Sequence, residues 1–381
     1  MMLNRRYFLG AAGAMLATPG LSLAAAATDR RFVLIILRGA MDGLAAVMPV
    51  GDPAYAALRG RFGPPPASGA ALPLGGDFAL HPALAELGAL YGKGEALFVH
   101  AIASPYRERS HFDAQNVLET GGTAAYALKD GWLNRLLPLL PRASQPALAL
   151  SPALPIVLRG AAAATSYAPS RLPQADDDLL ARVGALYADD PQLHVLWSKA
   201  IDARMMAGSD ATGRSSPAAL GRLAATFLGR PDGARVAVIE LGGWDTHSGQ
   251  AGRLNGLLKQ LDGVIAALRD GLGPVWADTA IIAATEFGRT VAPNGTGGTD
   301  HGTGGVALLA GGALKGGRVI ADWPGLAPAR LHEGRDLRPT ADLRALFAGL
   351  AADHFHLDAA LVTRTLFAGE ALKPMRGLVR G

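Results

Sequence analysis

The chain of 381 residues has no cysteine, few aromatic residues and little net charge. Without cysteine there are neither disulfides nor thiolate ligands, so a metal site would use only histidine, aspartate and glutamate. An aromatic share of 6% gives no sign of a sugar-binding groove. A formal charge of +4, scattered along the chain, is too small to indicate nucleic acid as a partner.

The sequence also lacks a long apolar run after its N-terminus, so we expect no transmembrane anchor. Residues 1–27 have the pattern of a targeting segment, with an Arg5-Arg6 pair, a mildly apolar stretch and small residues suited to cleavage near Ala26. This pattern is typical of a twin-arginine signal, and the alternative is an ordinary secretory signal. We therefore expect a periplasmic or secreted protein that leaves the cytoplasm by twin-arginine export.

What the sequence does contain is a series of short apolar runs that alternate with stretches of helical periodicity. The runs suit strands buried on both faces, and they lie at 32–37, 94–102, 234–241, 278–287 and 304–312. Apolar residues at helical spacing predict a helix over 252–272, and a last helix with Thr340 as N-cap. The alternation predicts an α/β domain over 28–381, with a mostly parallel central sheet flanked by helices. We interpret residues 143–230, which are more helical, as an insertion or cap on it.

Polar side chains gather where the predicted strands end. In open parallel sheets, ligands bind beyond the carboxyl ends of the strands. Carboxylates and imidazoles lie beside four of the runs, and they are Asp42, then Glu240, Asp245 and His247, then Glu286, then Asp300 and His301. Carboxylates packed together repel one another unless a cation neutralises them. We therefore predict a site for one or two divalent metal ions, with zinc, manganese, magnesium or iron as the metal.

Each of these residues also has a purely structural interpretation. Asp42 suits a turn, Glu240 suits an ion pair with an arginine such as Arg289, and Asp245 suits a helix cap. His247 suits a bond to a backbone carbonyl, and Asp300 and His301 suit a solvated turn. All of them would then have to meet at one sheet edge by chance, so we favour the metal site.

The stretch SPYRERSHFDAQNVLETGG at 104–122 follows a predicted strand. Ser110, with an aspartate three positions later, resembles a capping arrangement and predicts a helix that starts near His111. A helix N-terminus can hold a phosphoryl or sulfuryl group, so Ser110 is a candidate nucleophile and His111 a second candidate for nucleophile or ligand. Arg107 and Arg109 are candidate contacts for an oxyanion. Alternatively, Ser110 is a plain N-cap and the arginines are surface charges.

Taken in order, the motifs LRGAMDGL, SHFDAQNVLETG, GGWDTH, TEFGRT and GGTDHGTGG resemble the exported bacterial family known as domain of unknown function 1501. That family is placed within the alkaline phosphatase and sulfatase superfamily, so the resemblance implies an alkaline phosphatase-like α/β sandwich with a two-metal site. The ligands it implies are Asp42, Glu240, Asp245 and His301, and it places the nucleophile near Ser110.

The sequence departs from the superfamily pattern at Gly249 and Phe287, where histidine ligands are expected. His247 and Asp300 are the residues that would compensate for them. The resemblance implies a metal-dependent hydrolase of phosphate or sulfate esters, with such an ester as small-molecule partner. The alternative is a non-catalytic binding or assembly protein that keeps the fold and binds an exported partner encoded nearby. A third interpretation, glycoside hydrolysis by paired carboxylates, lacks an aromatic groove.

Overall fold

The computed structural model describes residues 29–62, 69–140, 147–168, 177–207 and 216–380. The segment 1–27, predicted to be a twin-arginine signal, lies outside the described residues. Within the described ranges, no helix has both the length and the apolar character that crossing a membrane requires.

Strands and helices alternate along the described chain. The strands are β1 Arg31–Leu37, β2 Val47–Met48, β3 Leu72–Pro73, β4 Ala79–Leu80, β5 Ala96–Ala103, β6 Ala147–Leu150, β7 Thr165–Ser166, β8 Val236–Leu241, β9 Thr279–Ala284, β10 Gly305–Ala310, β11 Arg318–Ile320 and β12 Ala341–Asp342. The helices are α1 Gly43–Ala46, α2 Tyr55–Arg59, α3 Ala85–Gly92, α4 His111–Thr120, α5 Trp132–Leu136, α6 Asp177–Tyr187, α7 Pro191–Ala207, α8 Pro217–Leu228, α9 Gln250–Leu272, α10 Leu343–Phe355 and α11 Ala359–Leu366.

A 9-stranded sheet runs through the described residues in the order β11-β5-β10-β9-β1-β8-β6-β7, with β12 also paired to β5. The pairs of β1 with β8 and β9 are parallel, as are those of β6 with β7 and β8 and those of β5 with β11 and β12. Strand β10 is antiparallel to both of its neighbours, β5 and β9. The start of β10 therefore lies at the edge where the strands beside it end. The predicted fold class, a mostly parallel central sheet flanked by helices, is confirmed.

The core lies on both faces of this sheet. Alternate residues of β1 enter opposite clusters: Val33 and Ile35 pack in the cluster that contains the inner side of α9, whereas Phe32, Leu34 and Ile36 pack in the cluster that contains α10. Burying each of these side chains contributes about 1.5–3 kcal/mol relative to leaving it exposed. Burial on both faces explains why the strand is apolar from Phe32 to Leu37.

Most predicted elements occur close to where the sequence placed them, but one helix start was wrong. The helix predicted over 252–272 is α9. The N-cap of α10 is Asp342 rather than Thr340, because the Asp342 side chain accepts from the backbone N–H of Arg344. Thr340 instead donates its hydroxyl to the carbonyl of Asp322 at 2.7 Å, just before β12 pairs with β5.

The segment 143–230, predicted to be a helical insertion or cap, contains both helices and strands. Its described part includes α6, α7 and α8, and also β6 and β7 at one side of the central sheet. Strand β6 pairs in parallel with β8, so this segment extends the sheet as well as adding helices. The domain limits themselves stay a prediction.

Buried histidines make the stability of this fold dependent on pH. His354 of α10 is fully buried, and its Nε2 donates to the carbonyl of Arg31 at 2.8 Å. Burial lowers the pKa of His354 from 6.5 to about 3. Below pH 6.5 the imidazole of His354 is therefore protonated in the unfolded chain but still neutral in the folded protein. The free energy of unfolding decreases as the pH falls from 6.5 toward 3.

We expect the free energy of unfolding to fall by about 1.4 kcal/mol per pH unit on account of His354, once the pH is below its unfolded pKa. His354→Gln keeps an N–H donor for Arg31 and should remove that part of the slope. Urea denaturation at a series of pH values measures it. His194→Gln, at an exposed position of α7, is the matched control. An unchanged slope in His354→Gln would contradict the prediction.

Candidate metal centre

Five loops meet at one edge of the sheet. Four of them follow β1, β5, β8 and β9, and the fifth precedes β10, which reaches the same edge because it runs in the opposite direction. These loops contain the residue groups predicted from the sequence, which are 38–42, 107–111, 244–247, 286–289 and 300–301. The predicted gathering of polar groups at a single edge thus has a topological cause.

Three imidazoles and one carboxylate form what we call the histidine centre, which consists of His111, Asp245, His247 and His301. The Nε2 atom of His301 lies 2.9 Å from Nε2 of His111 and 3.0 Å from Nε2 of His247. Asp245 Oδ1 lies 3.0 Å from His247 Nε2 and 3.3 Å from His301 Nε2, and Asp245 Oδ2 lies 3.5 Å from His111 Nε2. His111, Asp245 and His301 are close enough together to share one metal ion.

The other nitrogen of each imidazole is bound to an acceptor outside the centre. Nδ1 of His111 contacts Glu286 Oε1 at 2.8 Å, and Nδ1 of His247 contacts Asp300 Oδ1 at 3.0 Å. Nδ1 of His301 contacts the backbone carbonyl of Arg109 at 3.0 Å. Carbonyl and carboxylate oxygens only accept, so each Nδ1 carries a proton, and each ring, when neutral, directs its Nε2 lone pair inward.

Lone pairs that face one another at these distances repel, so the centre is arranged for a cation. Zinc bonds to nitrogen and oxygen at about 2.0–2.1 Å, which sets the edges of a tetrahedral ligand set at about 3.4 Å. The separations of His111, Asp245 and His301 range from 2.9 to 3.5 Å and are close to that value. The residues therefore fit a divalent metal ion, with His247 as a further ligand beside them.

Glu286 anchors His111 from the interior. Its side chain is fully buried, and besides His111 it accepts from the backbone N–H of Gly39 and from Gln115. Burial acts to raise the pKa of Glu286, but the hydrogen bonds from His111 and Gln115 outweigh it and the net pKa is lowered. The hydrogen bond to Glu286 in turn raises the pKa of His111. Carboxylate–histidine pairs of this kind fix the orientation of metal-binding rings.

Asp245 and His301 have shifted pKa values as well. Burial acts to raise the pKa of Asp245, but the hydrogen bond and charge of Arg289 outweigh it, so that the net pKa is lowered. Arg289 is buried, and its Nη1 lies 2.6 Å from Asp245 Oδ1. Burial, followed by the charge of His111, lowers the pKa of His301. An ionised carboxylate and a neutral imidazole are the forms that bind a metal.

The backbone of Arg109 positions His301. Arg109 has a φ of 63°, in the left-handed region that non-glycine residues seldom adopt. Its side chain holds it there, because Nε donates to the buried Asp336 at 2.9 Å and Nη2 lies 2.5 Å from Glu333. Arg335, beside Asp336, donates to the carbonyl of His301 at 2.7 Å. Arg109 was predicted to contact an oxyanion, but its guanidinium is bound to these carboxylates.

Glycines allow the loops to approach the centre closely. A Cβ on Gly39, where φ is 115°, would lie 2.5 Å from the backbone nitrogen of Asp245. A Cβ on Gly298 would lie 2.1 Å from the carbonyl of His247. Only glycine fits where two backbones come this close.

Four predicted metal ligands lie outside the histidine centre, namely Asp42, Glu240, Glu286 and Asp300. Asp42 is buried and accepts from Arg59 Nη1 at 2.6 Å, and Glu240 accepts from Arg38 Nε at 2.5 Å. An ion pair of Glu240 with an arginine was the structural alternative, but the partner is Arg38 rather than Arg289. Asp300 lies one step outside the centre, where it also accepts from Asn294 and orients His247.

The predicted catalytic residues of the 104–122 stretch differ in the hydrogen bonds of their side chains. The helix α4 begins at His111 as predicted, with Ser110 as its N-cap residue, but the Ser110 side chain makes no capping hydrogen bond. The backbone N–H of Ser110 donates to the Tyr106 hydroxyl at 3.3 Å. Arg107 donates to the carbonyls of Ser104 and Tyr106.

Several residues that support the centre were not predicted. Gln115, Asn294 and Asp336 hydrogen-bond Glu286, Asp300 and Arg109 respectively, which contact the imidazoles of the centre, and Arg59 binds Asp42. None of them directly follows a strand or belongs to a recognisable spacing. Spacing in the sequence gives no signal for Gln115 and Asp336, because their partners Glu286 and Arg109 are distant in sequence.

The decisive comparison is with protein families. Residues 91–366 match the family described as a protein of unknown function, DUF1501. The chain belongs to this family. Its description assigns no activity, so membership confirms the predicted resemblance without giving the DUF1501 protein a function. No curated protein matches the chain.

Solved structures similar to this DUF1501 chain include three bacterial proteins. The C-terminal periplasmic domain of EcEptC from Escherichia coli, in complex with zinc, has a TM-score of 0.39 at 9% identity and covers 75% of this chain and 74% of its own. The lipoteichoic acid synthase LtaP from Listeria monocytogenes has a TM-score of 0.38 at 11% identity, with 81% and 70% covered. The phosphonate monoester hydrolase of Agrobacterium radiobacter has a TM-score of 0.31 at 13% identity, with 76% and 70% covered.

The contact between Glu286 and His111 can be tested by titration. Glu286→Gln removes the negative charge that favours the imidazolium, so the pKa of His111 should fall. The measurement is an NMR titration of the imidazole resonances in metal-free protein. Asp300→Asn is the matched control, because Asp300 contacts His247 and should leave the pKa of His111 unchanged. Equal shifts in both variants would contradict the assignment.

Proposed function

We propose that this DUF1501 protein is a metal-dependent hydrolase of phosphate or sulfate esters. The observation that carries the proposal is the inward convergence of three Nε2 atoms and the Asp245 carboxylate, while each Nδ1 is bound to an acceptor on the outside. Such an arrangement has no use in packing, because it brings lone pairs together. The choice of phosphate or sulfate esters rests on the resemblance of the motifs to the alkaline phosphatase and sulfatase superfamily.

The proposed ligands are His111, Asp245, His247 and His301, and this mainly imidazole set suits zinc or iron better than magnesium. A metal bound there would polarise an ester oxygen and lower the pKa of a bound water. Access is open, because the Asp245 side chain is 43% exposed and that of His247 is 44% exposed. The outer carboxylates Glu286 and Asp300 keep the rings in place while the ester enters.

Ser110 is the proposed nucleophile, with water as the alternative. It directly precedes His111 in sequence, and its side chain is not used to cap α4. His111 itself is less suited, because Glu286 fixes its ring with Nε2 in the centre. A nucleophile next to a metal ligand would be activated by loss of its proton.

One observation favours a second candidate, a metal-binding protein without catalysis. Arg107 and Arg109, predicted to contact an oxyanion, are both bound to acceptors within the protein. Arg38 is likewise bound, to Glu119 and Glu240. A substrate oxyanion would then depend on the metal for its positive charge. In the non-catalytic candidate, the protein would bind the predicted exported partner protein rather than an ester.

A turnover experiment distinguishes the hydrolase from the metal-binding protein without catalysis. Protein purified without chelator should hydrolyse p-nitrophenyl phosphate or p-nitrophenyl sulfate, and Asp245→Ala and His301→Ala should each lose both the bound metal and the activity. Elemental analysis measures the bound metal, and absorbance assays of released p-nitrophenol measure the activity. His194→Ala, at the exposed position on α7, is the control and should retain both. Bound metal with no turnover on either ester would favour the non-catalytic candidate.

The same assay identifies the nucleophile. Ser110→Ala should abolish turnover while leaving the metal content unchanged, since Ser110 is not a proposed ligand. Retained turnover in Ser110→Ala would assign the attack to water instead.

We also propose export by the twin-arginine route, on the basis of Arg5 and Arg6. Replacing this pair by Lys-Lys should keep the protein in the cytoplasm, because the twin-arginine pathway requires the arginines. Cell fractionation followed by immunoblotting measures the distribution. Unchanged export of the Lys-Lys variant would indicate the general secretory route.

A further inference from the structure

Asp42, predicted to be a metal ligand, has both oxygens of its carboxylate hydrogen-bonded by the protein. Its side chain is 1% exposed, and Oδ2 accepts from Arg59 Nη1 at 2.6 Å and from Gln250 Nε2 at 2.5 Å. Oδ1 accepts from the backbone N–H of Ala45 at 3.2 Å. The Arg59 side chain is equally buried, so the pair is fixed.

Glu240 is held by a second arginine. Arg38 Nε lies 2.5 Å from Glu240 Oε1, and Arg38 Nη2 lies 2.9 Å from Glu119 Oε1. Arg38 Nη1 donates to Gln115 at 3.0 Å, so one guanidinium connects β1, β8 and α4. The positive charge of Arg38 therefore lies between the two glutamates, where a cation would otherwise be needed.

Both oxygens of Glu286 are likewise hydrogen-bonded by the protein. Its Oε1 contacts His111, the N–H of Gly39 and Gln115, and its Oε2 accepts from the Thr285 hydroxyl at 2.9 Å. Asp42, Glu240 and Glu286 are thus three predicted ligands that accept from protein donors, Glu240 through Oε1.

We propose that the histidine centre binds a single divalent cation, and that Arg38 and Arg59 supply the positive charge that a second cation would bring to Glu240 and Asp42. This inference rests on the proposed metal-dependent function and limits its metal content to one ion. It differs from the two-metal site that the family resemblance implies.

Electrostatics support this assignment. A cation bound to Glu240 would lie about 2 Å from a carboxylate oxygen, and hence within a few ångströms of the Arg38 guanidinium, which repels it. The same holds for Asp42 and Arg59, where burial makes the repulsion stronger. Asp245 is also paired with an arginine, Arg289, but it differs in meeting three imidazoles as well. Their Nε2 atoms supply further ligands that are neutral when a metal is bound, and these ligands offset the repulsion from Arg289.

Metal stoichiometry tests the proposal. Zinc is titrated calorimetrically into metal-free full-length mature protein, and the bound metal is counted by elemental analysis after gel filtration. We expect one equivalent for the wild-type protein and one for Glu240→Gln. Asp245→Asn should reduce zinc affinity at least tenfold, because Asp245 is a proposed ligand. Glu240 is 23% exposed, so its replacement by glutamine should leave the fold intact, as circular dichroism will check.

Asp42→Asn is a second variant and should also bind one equivalent. Two equivalents in the wild-type protein, falling to one in Glu240→Gln or Asp42→Asn, would overturn the proposal but leave the hydrolase function standing. One equivalent without ester turnover would support the proposal and count against the hydrolase. No bound zinc would overturn both.

Discussion

Negative charge gathered at the carboxyl edge of the sheet is the constraint on which the site depends. Asp42, Glu240 and Asp245 each lie beside a strand end, and each is paired with a different arginine, Arg59, Arg38 and Arg289 respectively. Of the three, Asp245 alone also meets the inward-facing imidazoles. The imidazoles thus distinguish the carboxylate that is available to a metal from the two that stabilise the loops.

Strand direction decides which residues meet. His301 reaches the centre because it precedes β10, and β10 is antiparallel to both neighbours. A parallel β10 would place the same loop at the opposite edge of the sheet, about 20 Å away for a strand of this length. The ring of His301 is then oriented by a carbonyl at Arg109, whose left-handed backbone is held by Asp336. The sheet topology thus brings His301 to the centre, and the left-handed backbone at Arg109 orients its ring.

The sequence predicted the strands and the gathering of polar residues because both follow from local patterns. Apolar runs of strand length mark a doubly buried sheet, and β1 and β8 lie where their runs predict. The sequence did not predict which of these polar residues face the centre and which orient or pair with other side chains. Glu286 and Asp300 orient histidines. Asp42 instead binds Arg59, which is 17 residues away in the sequence and belongs to no recognised motif. Such pairings depend on three-dimensional packing, so spacing in the sequence does not reveal them.

The proposed ligands come from loops far apart in the chain, and this has a thermodynamic consequence. His111 and His301 are separated by 190 residues, and Asp245 and His301 by 56. A cation held by all three would tie together segments that contact one another only in the folded state, so its binding energy would add to folding stability. At a free concentration of one hundred times its dissociation constant, the gain is about 2.7 kcal/mol. In a chain without cysteine, the ion would serve as the cross-link that disulfides provide elsewhere.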